Sequence, residues 1–147
     1  MRTSLLFGLL LVSGLAQAAP NCSIDLKGND QMQYDQKSIT VSSTCKNITI
    51  NLTHTGKLPA QSMGHNVVIA TAEDEAGVVQ DGMAAGAAAN YIKAGDKRVI
   101  AHTKLIGGGE KTSAAFAASQ LKAGKSYVFF CSMPGHASKM KGQLGVK

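Results

Sequence analysis

Close to the C-terminus a cysteine, a histidine and a methionine stand in the pattern C-x4-H-x3-M, within Cys131-Ser132-Met133-Pro134-Gly135-His136-Ala137-Ser138-Lys139-Met140. Thiolate, imidazole and thioether are soft or borderline donors, and one loop that doubles back can wrap all three around a single ion. Pro134 and Gly135 supply the bend. A further donor has to come from elsewhere, from His54, His65 or His102. His65 stands in Met63-Gly64-His65-Asn66 just before an apolar run, where a loop turn would aim it at the C-terminal loop. The donor set selects the metal. Structural zinc prefers four Cys or His ligands, and a thioether suits it poorly. Two histidines and a thiolate with a weak axial thioether are the arrangement of copper electron-transfer sites.

These donors need a rigid frame. Short apolar runs recur at Ile24/Leu26, Ile48/Ile50/Leu52, Val67-Val68-Ile69, Val99-Ile100 and Tyr127 to Phe130, and several alternate with polar residues as half-buried strands do. Lys27-Gly28-Asn29-Asp30, Thr55-Gly56-Lys57-Leu58-Pro59, Gly107-Gly108-Gly109 and Lys122-Ala123-Gly124-Lys125 read as the turns between them. The spacing predicts an all-β sandwich. One stretch departs from it: residues 72–91 are rich in alanine, with Glu73, Asp74 and Glu75 at the front, where acidic side chains favour a helix N-terminus. Gly77, Gly82 and Gly86 weaken that helix, which is expected to be short and to lie as a flap on the sandwich.

Met1-Arg2-Thr3-Ser4, the apolar run Leu5 to Leu15, and Ala16-Gln17-Ala18 form the charged, apolar and small-residue regions of a cleavable export signal. The run is too short for a membrane span, which needs about 20 helical residues. The chain therefore divides into residues 1–18, a signal peptide, and residues 19–147, one domain. Export places the three cysteines in an oxidising compartment where thiols pair. Cys22 and Cys45 flank a polar stretch and are expected to bond to each other, leaving Cys131, behind Tyr127-Val128-Phe129-Phe130, buried or ligated. The net charge of +6 comes from basic residues scattered singly, and aromatic residues make up 5% of the chain, so nucleic-acid binding is disfavoured.

Over nearly all of residues 19–147 the sequence resembles the azurin branch of the cupredoxins, small periplasmic blue-copper proteins. The resemblance rests on Asn29-Asp30-Gln31-Met32, Met63-Gly64-His65-Asn66, Gly77-Val78-Val79 with Asp81-Gly82-Met83, the run from Arg98 to Gly107, Phe129-Phe130-Cys131 and Pro134-Gly135-His136. It implies a Greek-key β-sandwich with one helical flap and one copper ion. By the same resemblance His65, Cys131 and His136 are strong ligands, Met140 is an axial sulfur and the Gly64 carbonyl is a weak contact. Cys22–Cys45 matches the family disulfide. The backbone N–H groups of Asn66 and Met133 reach the Cys131 sulfur, and His54 is a buried histidine that modulates the site. Partners dock on an apolar patch of Met32, Leu58, Met63, Met83, Met133 and Pro134 around His136. The implied function is one-electron transport in the periplasm, as a monomer, between redox proteins such as c-type cytochromes or copper or haem reductases, without stable membrane insertion. Two residues depart from the family pattern: Met133 replaces a common phenylalanine and Val67 a frequent tryptophan.

Two other functions compete. A copper chaperone would have to release an ion gripped by a buried thiolate and two separated histidines. A Cys-His enzyme would use Cys131 as nucleophile; no second histidine cluster that would suit a copper oxidase or reductase is present in the sequence.

Overall fold

The computed structural model describes residues 18–147. Residues 1–17 of the expected signal peptide lie outside the described residues. Among the described residues nine strands form two sheets. The first has the order β2-β1-β4-β7 and the second β3-β9-β8-β5-β6. The strands are β1 (Ser23–Asn29), β2 (Gln33–Tyr34), β3 (Ser38–Val41), β4 (Asn47–His54), β5 (Val68–Thr71), β6 (Ala101–His102), β7 (Lys111–Ala117), β8 (Tyr127–Phe130) and β9 (Lys141–Val146). β1 pairs parallel with β4, and β3 parallel with β9. The result is the all-β Greek-key sandwich expected from the sequence.

Period-two burial builds the core and delivers functional side chains to it. In β4 the inward positions are Ile48, Ile50, Leu52 and then His54, which the same alternation carries to the inner face. In β1 they are Ile24, Leu26 and then Gly28. In β8 the inward series Tyr127, Phe129 continues one step past the strand to Cys131, while Val68, Ala70 and Phe130 face the other side of their sheet.

That other side is covered by the helical flap. α1 (Ala60–Met63) is a single turn before His65, and α2 (Glu75–Ala85) is the expected helix, continued by a 3-10 turn at Ala87–Ala89. Val78 of α2 packs with Val68, Ala70, Ile92 and Phe130. Gly82 lets the helix press on the following turn, since a Cβ there would meet the Tyr91 carbonyl oxygen at 2.1 Å. Arg98 fastens the arrangement with ion pairs to Asp96 and, at 2.7 Å, to Asp81 of α2.

Some boundaries differ from those expected. Lys27, Gly28 and Asn29 belong to β1 rather than to a turn, because each is paired across the sheet; the turn begins at Asp30, where the Asn29 side chain accepts the N–H groups of Gln31 and Gln33. Val99 and Ile100 precede the short β6 instead of forming a strand, although Ile100 N–H still donates to Ile69 O at 2.9 Å. Strands β2, β7 and β9 carry alanine, glycine or polar residues that mask their period, while β3, four residues long, alternates Ile39 and Val41 with Ser38 and Thr40. Cys22 and Cys45 are joined by a disulfide, with their Cα atoms 5.6 Å apart.

Candidate metal centre

At one end of the sandwich His65, Cys131 and His136 converge. One donor atom from each lies within 4.8 Å of the others, and all three residues are buried. Three chain segments bring them there. The single turn α1 ends at Gly64, and His65 then pairs with Ile106 in an antiparallel bridge whose two hydrogen bonds are both 2.9 Å. β8 delivers Cys131. The loop after it folds back through a tight turn in which His136 N–H donates to Met133 O at 2.9 Å, with Pro134 and Gly135 as its central residues. Proline's fixed φ suits the first central position and glycine's freedom the second, where φ is +81°. Met140 N–H donates to His136 O at 2.8 Å and Cys131 N–H to Met140 O at 3.0 Å, so the loop closes on itself and leaves Met140 fully buried.

The three candidate histidines are separated by their hydrogen bonds. His54 uses both ring nitrogens: Nδ1 accepts from Gly56 N–H at 3.1 Å, and Nε2–H donates to Met63 O at 2.8 Å. His102 is exposed, with Nδ1–H donating to Thr103 O at 3.0 Å. His65 differs from both. Its Nε2–H donates to Asn29 O at 2.8 Å, which fixes the tautomer and leaves Nδ1 with a bare lone pair. Among the described residues that Nδ1 is the buried side-chain nitrogen or oxygen with no hydrogen-bond partner. A buried acceptor without a partner is costly in a purely structural site. The His136 Nδ1 atom is 3.7 Å from Cys131 Sγ, and the Gly64 carbonyl oxygen is 3.9 Å from the same sulfur. The residues fit a metal ion of soft or borderline character.

Protonation agrees with this fit. Burial lowers the pKa of His65, and burial with the neighbouring His65 and His54 lowers that of His136 to about 4, so both rings are neutral and able to donate electron pairs at neutral pH. Burial raises the Cys131 thiol to about 11, against the stabilising effect of the Asn66 and Met133 backbone N–H groups on its thiolate. The thiol therefore keeps its proton at neutral pH and would release it to solvent when a metal cation binds the sulfur.

The surroundings leave little slack. His54 stacks on His65, with ring centroids 4.2 Å apart and planes 11° from parallel. A Cβ on Gly28 would lie 2.7 Å from His65 Cδ2 and 3.4 Å from Met140 Cε, so any larger residue at the third inward position of β1 would displace the His65 ring or the strand. Asn66 bonds to Ser132 in both directions, and the buried Tyr34 hydroxyl donates to Asn66 O. Of the surface expected around the site, Leu58, Met83 and Pro134 are exposed, Met32 and Met63 half-buried, and Met133 and His136 only 7% and 4% exposed.

Gly28, Tyr34 and Asn90 were not legible as site residues. For Gly28 a signal existed, since the inward alternation of Ile24 and Leu26 ends on it. Asn90 and Tyr34 carried none, because their partners are Asn66, Ser132 and Leu105, all distant in sequence.

Residues 20–147 match the family model for copper binding proteins of the plastocyanin/azurin family. The chain is 60% identical over 126 residues to the azurin of Pseudomonas denitrificans, covering 86% of this chain and 98% of that protein. It is 56% identical over 129 residues to the azurin of Pseudomonas aeruginosa, covering 88% and 87%, and 58% identical over 123 residues to that of Alcaligenes faecalis, covering 84% and 96%.

Proposed function

The chain belongs to the plastocyanin/azurin family of copper-binding proteins and is a blue-copper electron-transfer protein; from that premise we propose that it carries single electrons between redox proteins of the periplasm. The observation that supports the reading best is the buried, unpartnered His65 Nδ1 facing a thiol and a second imidazole. Copper, when bound, supplies a one-electron couple between Cu(I) and Cu(II). His65, Cys131 and His136 are its strong ligands in this proposal, with the Met140 sulfur and the Gly64 carbonyl as weaker donors. The protein's own part is to hold these groups still and dry. Asn29 O orients the His65 ring, and Cys131, His65 and Met140 have no exposed surface. The Asn66 and Met133 N–H groups draw electron density from the sulfur.

His136 is the one of the four side-chain donors with any exposed surface, and Leu58, Met83 and Pro134 stand exposed among the residues proposed to surround it. Electrons therefore enter and leave at His136 across that apolar surface, where c-type cytochromes or copper or haem reductases dock. Methionine side chains adapt to more than one partner. Residues 1–18 direct export and are removed, and residues 19–147 act as a monomeric carrier. No helix among the described residues is long and apolar enough to cross a membrane.

Addition of Cu(II) to the purified domain tests the proposal. An intense red-end absorption band from thiolate-to-copper charge transfer is expected, and it disappears in Cys131→Ala. A protein that remains colourless after oxidation and removal of zinc overturns it.

A further inference from the structure

Asn90 ends the 3-10 turn that follows α2 and adopts the left-handed conformation, with φ 55° and ψ 26°. Asparagine enters this region more readily than most residues. The conformation turns both its polar ends toward the metal site. Its carbonyl oxygen accepts from Asn66 Nδ2 at 2.9 Å and from Ser132 Oγ at 3.4 Å, and its side-chain Oδ1 accepts from Leu105 N–H at 2.8 Å. Asn66 adjoins His65, Ser132 adjoins Cys131, and Leu105 adjoins Ile106, the residue paired to His65. Asn66 and Ser132 also bond each other at 2.8 and 2.9 Å. The carbonyl bonds thus close a ring of Asn90, Asn66 and Ser132, to which the side-chain bond ties Leu105, and each partner is next to a donor residue or to the donor's backbone partner. Asn90 is anchored from behind, through its own N–H to Ala87 O at 2.9 Å and through Tyr91 N–H to Gly86 O at 2.9 Å.

We propose that Asn90 is a positioning residue for the metal centre: it clamps the His65 and Cys131 segments at a fixed separation and makes the helical flap a mechanical part of the site. The inference rests on the copper-site reading for its functional meaning. Its geometry is independent of it.

The test compares Asn90→Gly, Asn90→Asp, Asn90→Val and the parent protein; the branched Cβ of valine disfavours the left-handed backbone that aims the carbonyl. Glycine keeps the left-handed backbone and the carbonyl and loses only the Leu105 link. Aspartate keeps an acceptor at that point. Amide hydrogen exchange is followed by NMR in the metal-free and Cu(I)-loaded proteins, and the charge-transfer spectrum is recorded with Cu(II). In Asn90→Gly, exchange at Leu105 accelerates about tenfold, as loss of one neutral hydrogen bond allows. In Asn90→Val, where the carbonyl is turned away from Asn66 and Ser132, exchange at Ser132 accelerates as well and the relative intensities of the thiolate-to-copper bands change. Asn90→Asp keeps the parent's exchange at both amides. Ser132 exchange and a spectrum that stay unmoved in Asn90→Val overturn the clamp and leave Asn90 as a loop pin. Should the parent protein itself fail to colour with copper, the copper reading fails, and exchange at Ser132 in the metal-free variants still decides whether the ring is coupled. A variant Asn90→Gly that does not fold is replaced by Asn90→Ser, read by the same two amides.

Discussion

Gly28→Ala adds one methyl group at the point where β1 runs beneath the metal site. Its Cβ would lie 2.7 Å from His65 Cδ2, 3.3 Å from Cγ and 3.4 Å from Met140 Cε. Ordinary carbon contacts need about 3.7 Å, so either the ring or the strand has to move by about 1 Å. Neither is free. The ring is bonded through Nε2 to Asn29 O and stacked on His54, while Gly28 is held in register opposite His54 and Tyr34. Overpacking of this kind costs about 1–3 kcal/mol. Against it, alanine restricts the unfolded chain and returns about 0.4–1 kcal/mol. The net loss is about 1–2 kcal/mol, which for a domain of this size lowers Tm by about 4–8 °C. Thermal unfolding of the metal-free protein measures that loss. The copper-loaded variant is expected to show an altered charge-transfer spectrum as well, because the displaced group is a proposed ligand. A variant with the parent's melting temperature and the parent's spectrum would refute the claim that the His65 ring rests on Gly28.

Other predictions concern the far end of β1 and the protons of the site. Replacing both Cys22 and Cys45 by alanine opens a crosslink with a sequence separation of 23, which lowers stability in urea by about 3 kcal/mol on the chain-entropy model. Cys22 is about 20 Å from Gly28 along an extended strand, so the copper spectrum of that variant matches the parent's; a changed spectrum would contradict the separation of the two regions. Binding of Zn(II) to the metal-free protein at pH 7 releases about one proton per ion, from the Cys131 thiol held near 11, and none from His136, already neutral with a pKa of about 4. Proton release measured in weak buffer checks this, and Cys131→Ala abolishes it. Acid acts through His136 in the opposite sense to a salt-bridged histidine. Its folded pKa lies below the unfolded 6.5, so between about pH 6.5 and 4 the unfolded chain binds the extra proton and stability of the metal-free protein falls as pH falls. Urea midpoints across that window should decline less steeply in His136→Ala.

The donor loop was the most legible part of the sequence, and the reason is local. Cys131, His136 and Met140 lie within ten residues, and Pro134-Gly135 announces the turn that folds them together. The strands bearing Ile48, Ile50 and Leu52, or Tyr127 to Phe130, were equally plain because the residues that alternate also pack. β7 and β9 were not. Lys111–Ala117 holds three alanines and one phenylalanine, and Lys141–Val146 two glycines, so the strand state is imposed by the neighbours β4, β8 and β3 rather than by propensity. Gly28 was misread as a turn residue for the converse reason: glycine there answers to a ring from a distant segment, which composition does not encode. His65 was singled out by its place before an apolar run and by resemblance rather than by residue chemistry; the physical reason, which ring nitrogen lacks a partner, is visible only in the structure.

The same contacts explain why this fold suits an electron carrier. Transfer is slowed by any movement of the donors between oxidation states, so a useful site fixes each donor by bonds that are independent of the ion. Here His65 is held by Asn29 O and by its bridge to Ile106, His136 by the Pro-Gly turn, and Cys131 and Met140 by the hydrogen bond that closes the loop. None of these groups can follow a change at the centre without breaking a backbone hydrogen bond or colliding with packed side chains, each costing about 1 kcal/mol or more. The sandwich supplies the walls, with Phe129, Leu52 and Val67 wholly or almost wholly buried, and the flap adds the hydrogen bonds of Asn90 to Asn66 and Leu105. Rigidity at the metal end is therefore a property of sheet, loop and flap together, and loosening any one of them should register first in the spectrum of the site rather than in the stability of the fold.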